Sequence, residues 1–366
     1  MLAAMKASIL VGCKEPLVVE QVELDAPGPN EVHVKWKASG VCHSDVSIWN
    51  GSLPMPMPNI LGHEGAGVVV AAGANDAGFE PGDHVIGNFR PMCGSCFYCT
   101  TDQAYNCKHT MAIAMGRSPW KRSDGTKLMG SIGGLGTFAE ESVVHEGALV
   151  KIPDDYPLEQ AALIGCGVTT GIGSVLFAAK VEAGSTCVVI GCGGVGQSVI
   201  QGCRLAGAKN IVAVDINAAK RKIAEQFGAT LTVDPNAEKL RDIVGGLTDK
   251  RGADYTFEVV GVPALQRQAY DIARPGGTVV WVGVPVINAE VSLPSALMVL
   301  QNKRVLGTIY GSANVRRDML TLIDYSKRGD IDVNAMVSQR IGLNDINEAF
   351  TAMLEGDVIR SVVVYD

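Results

Sequence analysis

Short runs of alternating apolar and polar residues dominate the amino-terminal part of the chain. LVVEQVEL (residues 17–24) and EVHVKWKAS (residues 31–39) are two of these runs, and the proline-containing breaks APGPN and PMPMPN interrupt the pattern. Alternation with a period of two is typical of β-strands that bury one face, and proline is typical of the turns between them. This part of the chain is therefore predicted to be a mostly β domain.

The pattern changes in the middle of the chain, where short apolar strands alternate with helical segments. TCVVI (residues 186–190) is followed by the helical stretch QSVIQGCRLAG and by a second strand, NIVAV, and two further strands lie in ADYTFEVVG and GGTVVWVGVP. This alternation predicts βαβ units around a doubly wound parallel sheet. The fold class is therefore predicted to be α/β.

From about Tyr310 the chain contains two amphipathic helical segments, DMLTLIDYSKRG and NDINEAFTAMLEG, and a closing strand, RSVVVY. Because a closing strand most simply pairs with a sheet that already exists, we expect it to rejoin the amino-terminal β domain. The predicted domains are a discontinuous catalytic domain, residues 1–167 and 310–366, and an α/β domain inserted between them, residues 168–309.

Composition indicates a globular protein and argues against two kinds of partner. The 366 residues are 47% hydrophobic and 19% charged, with a net charge of -7. An acidic balance without a large basic cluster disfavours nucleic acid or an anionic membrane as the main partner. The uncharged run 161–179 is about as long as a bilayer span, but it contains four glycines and two threonines, and we expect a buried core segment.

The amino terminus does not resemble a secretory signal. The apolar run before Cys13 is only Ala7 to Val11, whereas a signal peptide needs about 7–15 apolar residues after a basic region. We therefore expect a short strand here and a cytoplasmic protein. In a reducing cytoplasm, clustered cysteines are more often metal ligands than disulfides.

Four of the ten cysteines lie within the fifteen residues CGSCFYCTTDQAYNC, at positions Cys93, Cys96, Cys99 and Cys107. Four thiolates can enclose one tetrahedral zinc ion completely, which leaves no ligand position open for a substrate. The cluster is therefore predicted to hold a structural zinc ion that pins a loop, and not to carry out catalysis.

Three more potential ligands are dispersed along the chain: Cys42 in GVCHSD, His63 in GHEGAG and Cys166 in GCGVTTG. Two thiolates and one imidazole suit a tetrahedral zinc ion whose fourth position stays open for water or substrate. Spacing alone does not separate this hypothesis from its alternative, in which each residue is an ordinary member of a core.

The stretch GCGGVG lies directly between the apolar strand CVVI and a helical segment. Its glycines Gly191, Gly193 and Gly196 permit a tight turn and let a pyrophosphate approach the helix N-terminus. Asp215 ends the next strand, 19 residues after Gly196, where it can accept hydrogen bonds from a ribose and repel a 2′-phosphate. The pattern predicts NAD as cofactor in preference to NADP. Lys220 is close enough in sequence to reach the same ribose.

Several motifs, in this order along the chain, resemble those of the zinc-containing alcohol dehydrogenases of the medium-chain dehydrogenase/reductase superfamily. They are GVCHSD (40–45), GHEGAGVV (62–69), PGDHV (81–85), CGSCFYC with Cys107, GCGVTTG (165–171), GCGGVG (191–196) and DVIRSVVVY (357–365). The resemblance covers essentially the whole chain. It implies a GroES-like, mostly β catalytic domain with an inserted Rossmann-type domain.

The resemblance also implies roles for individual residues of the first domain. Cys42, His63 and Cys166 correspond to the ligands of a catalytic zinc ion, and a second, structural zinc ion is implied at the four clustered cysteines. Asp45 corresponds to the residue that orients the His63 ring. The other implied roles are Glu64 close behind the metal, Ser44 as hydrogen-bond partner of the substrate alcohol, and Leu53, Phe89 and Val284 in the substrate pocket.

Further residues are implied to bind the dinucleotide. The set comprises His43, Thr170, Gly191, Gly193, Gly194, Val195, Gly196, Asp215, Lys220, Val260, Val282, Val284 and Arg360. Two positions depart from the family's better-known members. His43 stands where an arginine often meets the pyrophosphate, and Ser47 stands where a histidine often ends the proton relay.

The predicted function is reversible hydride transfer between NAD and a primary or secondary alcohol. Two related activities share the same motifs: oxidation of a formaldehyde–thiol adduct, and alcohol oxidation with permanently bound NAD. A polyol dehydrogenase is disfavoured, since those enzymes commonly have a carboxylate where this chain has Cys166, and a non-catalytic descendant would have no chemical reason to keep the ligand set. The segment VSLPSALMVLQNKRVLGTIYG resembles the family's dimer-forming strands, so we expect a homodimer, with a homotetramer as the alternative.

Overall fold

The computed structural model describes residues 4–356 and 358–366, which separate into two compact units. The first unit contains residues 4–166, 314–327, 333–356 and 358–366. Asp357, the first residue of the motif DVIRSVVVY, lies outside the described residues. The second unit contains residues 167–313 and 328–332.

The first unit is mostly β, as the alternating pattern predicts. Its first segment contains the strands β1 (Met5–Leu10), β2 (Val18–Leu24), β3 (Glu31–Gly40), β4 (Asn59–Ile60), β5 (Glu64–Ala72), β6 (His84–Gly87), β7 (Trp120–Lys121), β8 (Lys127–Gly130), β9 (Glu141–His145) and β10 (Leu149–Ile152). Its helices here are α1 (His43–Trp49), α2 (Phe97–Thr100), α3 (Thr110–Ala114) and α4 (Leu158–Leu163). Strands β1, β2, β7, β8 and β4 close a small barrel around the fully buried Trp120, whereas β10, β6, β5 and β3 lie side by side in a second sheet.

The pairing of β3 with β5 positions the first residues of the candidate site, because β5 begins at Glu64. The two strands are antiparallel, and their register shifts between Trp36 and Ala38. At this irregularity the backbones approach so closely that a Cβ atom on Gly67 would lie 2.2 Å from the carbonyl oxygen of Lys35. Glycine is therefore required here for steric reasons.

The second unit is built around a parallel sheet. A helical run after α4 consists of a π-helical turn at Ile164–Val168, α5 (Thr169–Gly173) and a second π-helical turn at Ser174–Ala179. The strands are β11 (Thr186–Ile190), β12 (Asn210–Val214), β13 (Leu231–Val233), β14 (Ala253–Glu258), β15 (Ala273–Trp281) and β16 (Arg304–Gly307). The helices are α6 (Gly194–Leu205), α7 (Ala218–Phe227), α8 (Leu240–Leu247), α9 (Pro263–Ile272) and α10 (Ser295–Leu300).

The strand order in this sheet is β13-β12-β11-β14-β15-β16, and every neighbouring pair is parallel. The order reverses between β11 and β14, and in open α/β sheets ligands bind beyond the carboxyl ends of the strands at such a point. The prediction of a doubly wound parallel sheet is confirmed.

The chain ends with α11 (Val315–Lys327), β17 (Gln339–Ile341), α12 (Ile346–Glu355) and β18 (Ser361–Val364). Strand β18 pairs antiparallel with β3, which confirms that the closing strand rejoins the first sheet.

The unit boundaries differ slightly from the predicted domain boundaries. Gly167, residues 310–313 and residues 328–332 belong to the second unit. Hydrogen bonds explain the last of these segments, since Arg204 donates to the Asp330 carbonyl at 2.8 Å and the Asp332 N–H donates to the Gln201 side chain at 2.7 Å. Amphipathic sequence patterns do not reveal such backbone contacts.

One helical run among the described residues, Leu158–Ala179, is long and apolar enough to cross a membrane. Of its most apolar window, 78% is buried inside the protein. This degree of burial is typical of a core helix.

We predict that Gly67→Ala lowers the free energy of unfolding by about 2–3 kcal/mol, because the added methyl group forces β5 away from β3. The matched control is Gly246→Ala in α8, where an added Cβ meets no described atom within 4 Å. Gly246 lies in the last turn of α8, so that change is expected to raise stability by at most about 0.5–1 kcal/mol, the value for a glycine in a helix interior. Thermal unfolding of both variants checks the prediction, and equal melting temperatures would contradict it.

Candidate metal centre and dinucleotide site

Four buried side chains of the first unit converge with one potential ligand atom each. They are Cys42, His63, Glu64 and Cys166, whose ligand atoms all lie within 4.8 Å of one another. Cys42 is the residue before α1, His63 and Glu64 form the entry into β5, and Cys166 lies in the π-helical turn at Ile164–Val168. The structure thus brings together residues that are 124 positions apart in sequence.

The Asp45 carboxylate connects two of the loops that carry these donors. It is completely buried, and it accepts hydrogen bonds from the Cys42 N–H at 3.2 Å and the Gly62 N–H at 3.0 Å. His63 Nδ1 lies 3.1 Å from the same carboxylate. Because an ionised carboxylate can only accept, Nδ1 carries the proton and the lone pair of Nε2 is free for a metal ion.

The thiol groups of Cys42 and Cys166 are hydrogen-bonded to each other. A hydrogen bond from the Cys166 thiol lowers the pKa of Cys42 well below its ordinary value, although burial opposes this effect. A thiolate and a second thiol in a buried site with an imidazole are the ligands that zinc prefers. The donor set therefore fits a zinc ion held by Cys42, His63 and Cys166.

The fourth member of the group, Glu64, brings a buried carboxyl group to within 4.8 Å of the three other donors. Burial raises the pKa of its carboxyl group to about 7, against the opposing charge of Arg360, whose Nη1 lies 3.5 Å from Glu64 Oε1. Neither carboxylate oxygen has a hydrogen-bond partner within the described part of the chain. Gly40 leaves space for this side chain, since a Cβ there would lie 2.1 Å from Glu64 Oε2. Glu64 is thus held next to the metal position, where its only charged partner among the described residues is Arg360.

Other residues that the resemblance implied lie around this centre. Ser44 Oγ is 3.8 Å from Cys42 Sγ, and the Phe89 ring packs edge-on against the His63 ring with centroids 5.7 Å apart. Leu53 is half-buried, and its N–H donates to the carbonyl of Ser47. The Ser47 hydroxyl donates to the carbonyl of His43, an exposed residue, at 3.0 Å. The Ser47 hydroxyl is therefore engaged within its own helix.

The four clustered cysteines form a second, separate group in the first unit. Sulfur–sulfur distances are 3.6 Å for Cys96–Cys99, 3.7 Å for Cys93–Cys107, 3.9 Å for Cys96–Cys107 and 4.0 Å for Cys93–Cys99. A tetrahedral zinc ion with Zn–S bonds of about 2.3 Å requires sulfurs about 3.8 Å apart. Disulfide sulfurs would be about 2 Å apart. The geometry therefore fits one closed zinc site.

Backbone N–H groups stabilise the anionic form of one sulfur in this cluster, that of Cys93, whereas burial and the neighbouring thiols raise the pKa of Cys99 to about 12. Burial acts to raise the pKa of Cys93, but the backbone N–H groups of Ser95 and Cys96 outweigh it and lower that pKa to about 6. N–H groups directed at sulfur are a common means of stabilising thiolates.

The glycine turn of the second unit has the form that a bound pyrophosphate requires. Gly191 has a φ of +98°, and a Cβ on Gly196 would lie 1.9 Å from the carbonyl oxygen of Gly191. Gly193 precedes the first turn of α6, whose Gly194 and Val195 N–H groups begin the helix. Sequence reasoning missed Gln197, whose buried side-chain amide donates to the carbonyls of Cys192 and Lys220 and so holds the turn. The available signal was a glutamine directly after the GCGGVG motif, on a helix whose buried residues also include Ser198 and Gln201.

Asp215 lies at the carboxyl end of β12, beside the glycine turn. Its carboxylate accepts the Cys192 N–H at 2.7 Å and the Asn217 N–H at 2.8 Å. These two bonds fix the carboxylate, and each oxygen keeps a lone pair for a further donor. Lys220, in the first turn of α7, is half-buried.

The remaining implied cofactor residues belong to different parts of the chain. Val260 and Val284 are exposed and Val282 is buried at the carboxyl ends of β14 and β15, while Thr170 lies in α5. Arg360 belongs to the first unit, where it is almost completely buried and donates to the carbonyl of Val41 at 3.3 Å. A contact of Arg360 with a pyrophosphate stays a prediction.

Comparison with known proteins identifies the same two regions. The family described as "Alcohol dehydrogenase GroES-like domain" matches residues 28–154, and the family described as "Zinc-binding dehydrogenase" matches residues 194–325. The chain is similar to an NDMA-dependent alcohol dehydrogenase of Amycolatopsis methanolica, with 37% identity over 98% of each chain. It is also similar to an S-(hydroxymethyl)glutathione dehydrogenase of Paracoccus denitrificans, with 37% identity over 98% of this chain and 99% of that protein.

Among solved structures, the benzyl alcohol dehydrogenase of Acinetobacter calcoaceticus matches with a TM-score of 0.92. The sequence identity is 27%, and the match covers 100% of each chain.

We predict that Asp45→Asn lowers the affinity of the first centre for zinc by about 10–100-fold, because the amide no longer fixes the His63 tautomer. Metal release to a chelator, followed on purified protein, measures the effect. The control is Asp124→Asn, which alters an exposed carboxylate distant in sequence from both cysteine groups. Release at the wild-type rate from Asp45→Asn would contradict the prediction.

Proposed function

The chain belongs to the zinc-containing alcohol dehydrogenases of the medium-chain dehydrogenase/reductase superfamily. We propose that it oxidises apolar primary alcohols to aldehydes with NAD, in a reversible reaction. The observation that carries this proposal is the convergence of Cys42, His63 and Cys166 beside the Phe89 ring. Three ligands leave a fourth position for an alcohol oxygen, as catalytic zinc sites require.

Zinc bound by these residues would act as a Lewis acid, making an alkoxide accessible near neutral pH and polarising a carbonyl in the reverse direction. The protein's own residues supply the rest. Asp45 holds the His63 ring in the required tautomer. We assign Ser44 Oγ as the group that hydrogen-bonds the substrate hydroxyl and relays its proton, releasing its own hydroxyl proton to solvent as it takes up the substrate's, since it lies beside Cys42 at the edge of the donor set.

The surroundings of the site favour an apolar substrate. The sixteen residues between Asp45 and Gly62 contain no charged side chain, and Leu53, Met55 and Met57 of this stretch pack against a buried apolar cluster. A glutathione adduct carries carboxylates that need cationic partners, and this stretch offers none. The similarity to a benzyl alcohol dehydrogenase supports the same choice, so we favour aromatic and other apolar alcohols.

We propose two zinc ions per chain, one at Cys42, His63 and Cys166 and one at the closed cluster Cys93, Cys96, Cys99 and Cys107. We also propose NAD as cofactor in preference to NADP. The Asp215 carboxylate, oriented by two backbone N–H groups, would accept from the ribose hydroxyls and repel a 2′-phosphate.

A homodimer and a cytoplasmic location complete the proposal. Strand β16 is the edge strand of its sheet, and the apolar side chains of Leu297, Val299 and Leu300 in the neighbouring α10 are exposed. An unpaired edge next to exposed apolar residues is suited to pairing with a second copy. The ten cysteines are all free thiols, which suits a reducing compartment.

We predict that Cys42→Ser abolishes alcohol-dependent NADH formation while the protein keeps its melting temperature within a few degrees. Cys93→Ser is the matched comparison, because it removes the same sulfur from the closed cluster. It is expected to lower the melting temperature and to leave the rate per folded molecule largely intact, since that cluster offers no open position. Activity in Cys42→Ser equal to wild type would refute the assignment of the catalytic centre.

The substrate proposal requires a panel of benzyl, allylic, aliphatic and secondary alcohols and S-(hydroxymethyl)glutathione. Each substrate is assayed with NAD, with NADP, and without added dinucleotide but with an artificial electron acceptor. Turnover of benzyl or aliphatic alcohols with added NAD supports the proposal. Preference for the glutathione adduct would show that the proposed substrate class is wrong. Turnover without added NAD would indicate a permanently bound cofactor.

We predict that Leu300→Lys converts the homodimer to a monomer, because it introduces a charge into an apolar contact. Sedimentation velocity of wild-type and variant protein measures the change. Leu231→Lys, an exposed leucine on the opposite edge strand β13, is the control and should stay dimeric. A monomeric wild-type protein would disprove the homodimer.

A further inference from the structure

Strand β14 ends in a buried carboxylate, Glu258, for which neither the zinc centres nor the glycine turn accounts. The other buried positions of this parallel strand are apolar or hydroxyl-bearing, and Glu258 is completely inaccessible to solvent. Burying an acidic group in a protein interior is unfavourable unless hydrogen bonds compensate. The partners of Glu258 therefore indicate what it does.

One oxygen of Glu258 organises the turn that follows the strand. Oε1 accepts the N–H groups of Val260 at 2.9 Å, Gly261 at 2.7 Å and Val262 at 3.4 Å. Gly261 has a φ of +84°, and α9 begins at Pro263, directly after the turn. The carboxylate thus supplies the hydrogen-bond acceptor that no backbone carbonyl provides for these three N–H groups.

The backbone of Glu258 holds the neighbouring loop as well. Its carbonyl oxygen accepts the N–H groups of Val282 at 2.8 Å and Gly283 at 3.0 Å, at the carboxyl end of β15. The two loops touch, since a Cβ on Gly283 would lie 2.1 Å from the Gly261 nitrogen. A single residue therefore fixes the loops after both β14 and β15.

The Val260–Val262 turn also contacts the glycine turn of residues 191–196, which is the candidate pyrophosphate site. A Cβ on Gly191 would lie 2.6 Å from Cγ2 of Val260, and the Val259 N–H donates to the Ile190 carbonyl at 3.0 Å. In the proposed function, Asp215 at the end of β12 binds the adenosine ribose, so the adenosine lies over this half of the sheet. In a doubly wound sheet the second mononucleotide then lies over the ends of β14 and β15, on the other side of the strand-order reversal.

We propose that Glu258 is a positioning residue for the nicotinamide half of the dinucleotide. Its carboxylate shapes the Val260–Val262 turn into a rigid support, on which the exposed Val260 and Val284 present apolar surface to the nicotinamide nucleotide. Glu258 itself is too deeply buried to touch the cofactor. This inference rests on the proposed NAD-dependent function.

The test compares two ligands that differ only in the nicotinamide ring, NADH and ADP-ribose, on protein freed of copurified dinucleotide. Glu258→Ala is expected to raise the Kd for NADH about tenfold, because three N–H groups lose their acceptor and the support loosens. The Kd for ADP-ribose should stay within about twofold of wild type. Fluorescence titration measures NADH, and calorimetry measures ADP-ribose.

Two further variants separate geometry from charge and keep the test valid if Glu258→Ala does not fold. Glu258→Gln keeps an oxygen at the Oε1 position and should bind NADH within about threefold of wild type. Glu258→Asp keeps the charge but withdraws the carboxylate by one methylene, so it should lose NADH affinity selectively. The matched control is Glu182→Ala, which removes an exposed carboxylate from the loop that precedes the amino end of β11, whereas Glu258 lies at the carboxyl end of β14.

Equal losses of NADH and ADP-ribose in Glu258→Asp would overturn the inference, because they would indicate a general defect of the unit. Unchanged NADH affinity in Glu258→Asp or Glu258→Ala would also overturn it. A wild-type protein that binds neither ligand would instead refute the proposed function, so the two failures are distinguishable.

Discussion

The buried carboxylate of Asp45 is the interaction on which the candidate metal centre depends. It receives the backbone of Cys42 and of Gly62 and the ring of His63, so one side chain joins the loop before α1 to the entry of β5. Its charge also determines which nitrogen of His63 carries the proton. This carboxylate is tolerated in the interior without exposure to solvent because three donors form hydrogen bonds with it.

The two cysteine-containing groups of the first unit differ in what they leave open. The cluster from Cys93 to Cys107 has four sulfurs at nearly equal separations, and a zinc ion there would have no position for a substrate. The group at Cys42 has three strong donors and a carboxylate, Glu64, held close by. Local concentration of cysteine therefore favours a structural role, and the dispersed residues are the ones that we propose as the reactive site.

Two carboxylates also belong to the candidate dinucleotide site of the second unit, and they differ in their strand and in their exposure to solvent. Asp215 ends β12, is partly exposed, and keeps lone pairs for a ribose. Glu258 ends β14, is fully buried, and directs one oxygen at three backbone N–H groups. The glycine turn is tight because Gly191 and Gly196 approach each other too closely for a side chain on Gly196. Recognition and support are thus divided between two acidic residues.

The sequence by itself determined the fold class, the inserted parallel sheet, the glycine turn and the closed cysteine cluster, since periodicity and close spacing are local properties of a chain. It offered Cys42, His63 and Cys166 as one of two open interpretations, and the resemblance favoured the zinc site, because residues so far apart in sequence meet only when β3, β5 and a π-helical turn pack together. The tertiary structure alone decided the backbone partners of Asp45, the engagement of the Ser47 hydroxyl with His43 and the hydrogen bonds of Glu258. Hydrogen bonds between distant segments decide these features, and such bonds leave no periodic trace in the sequence.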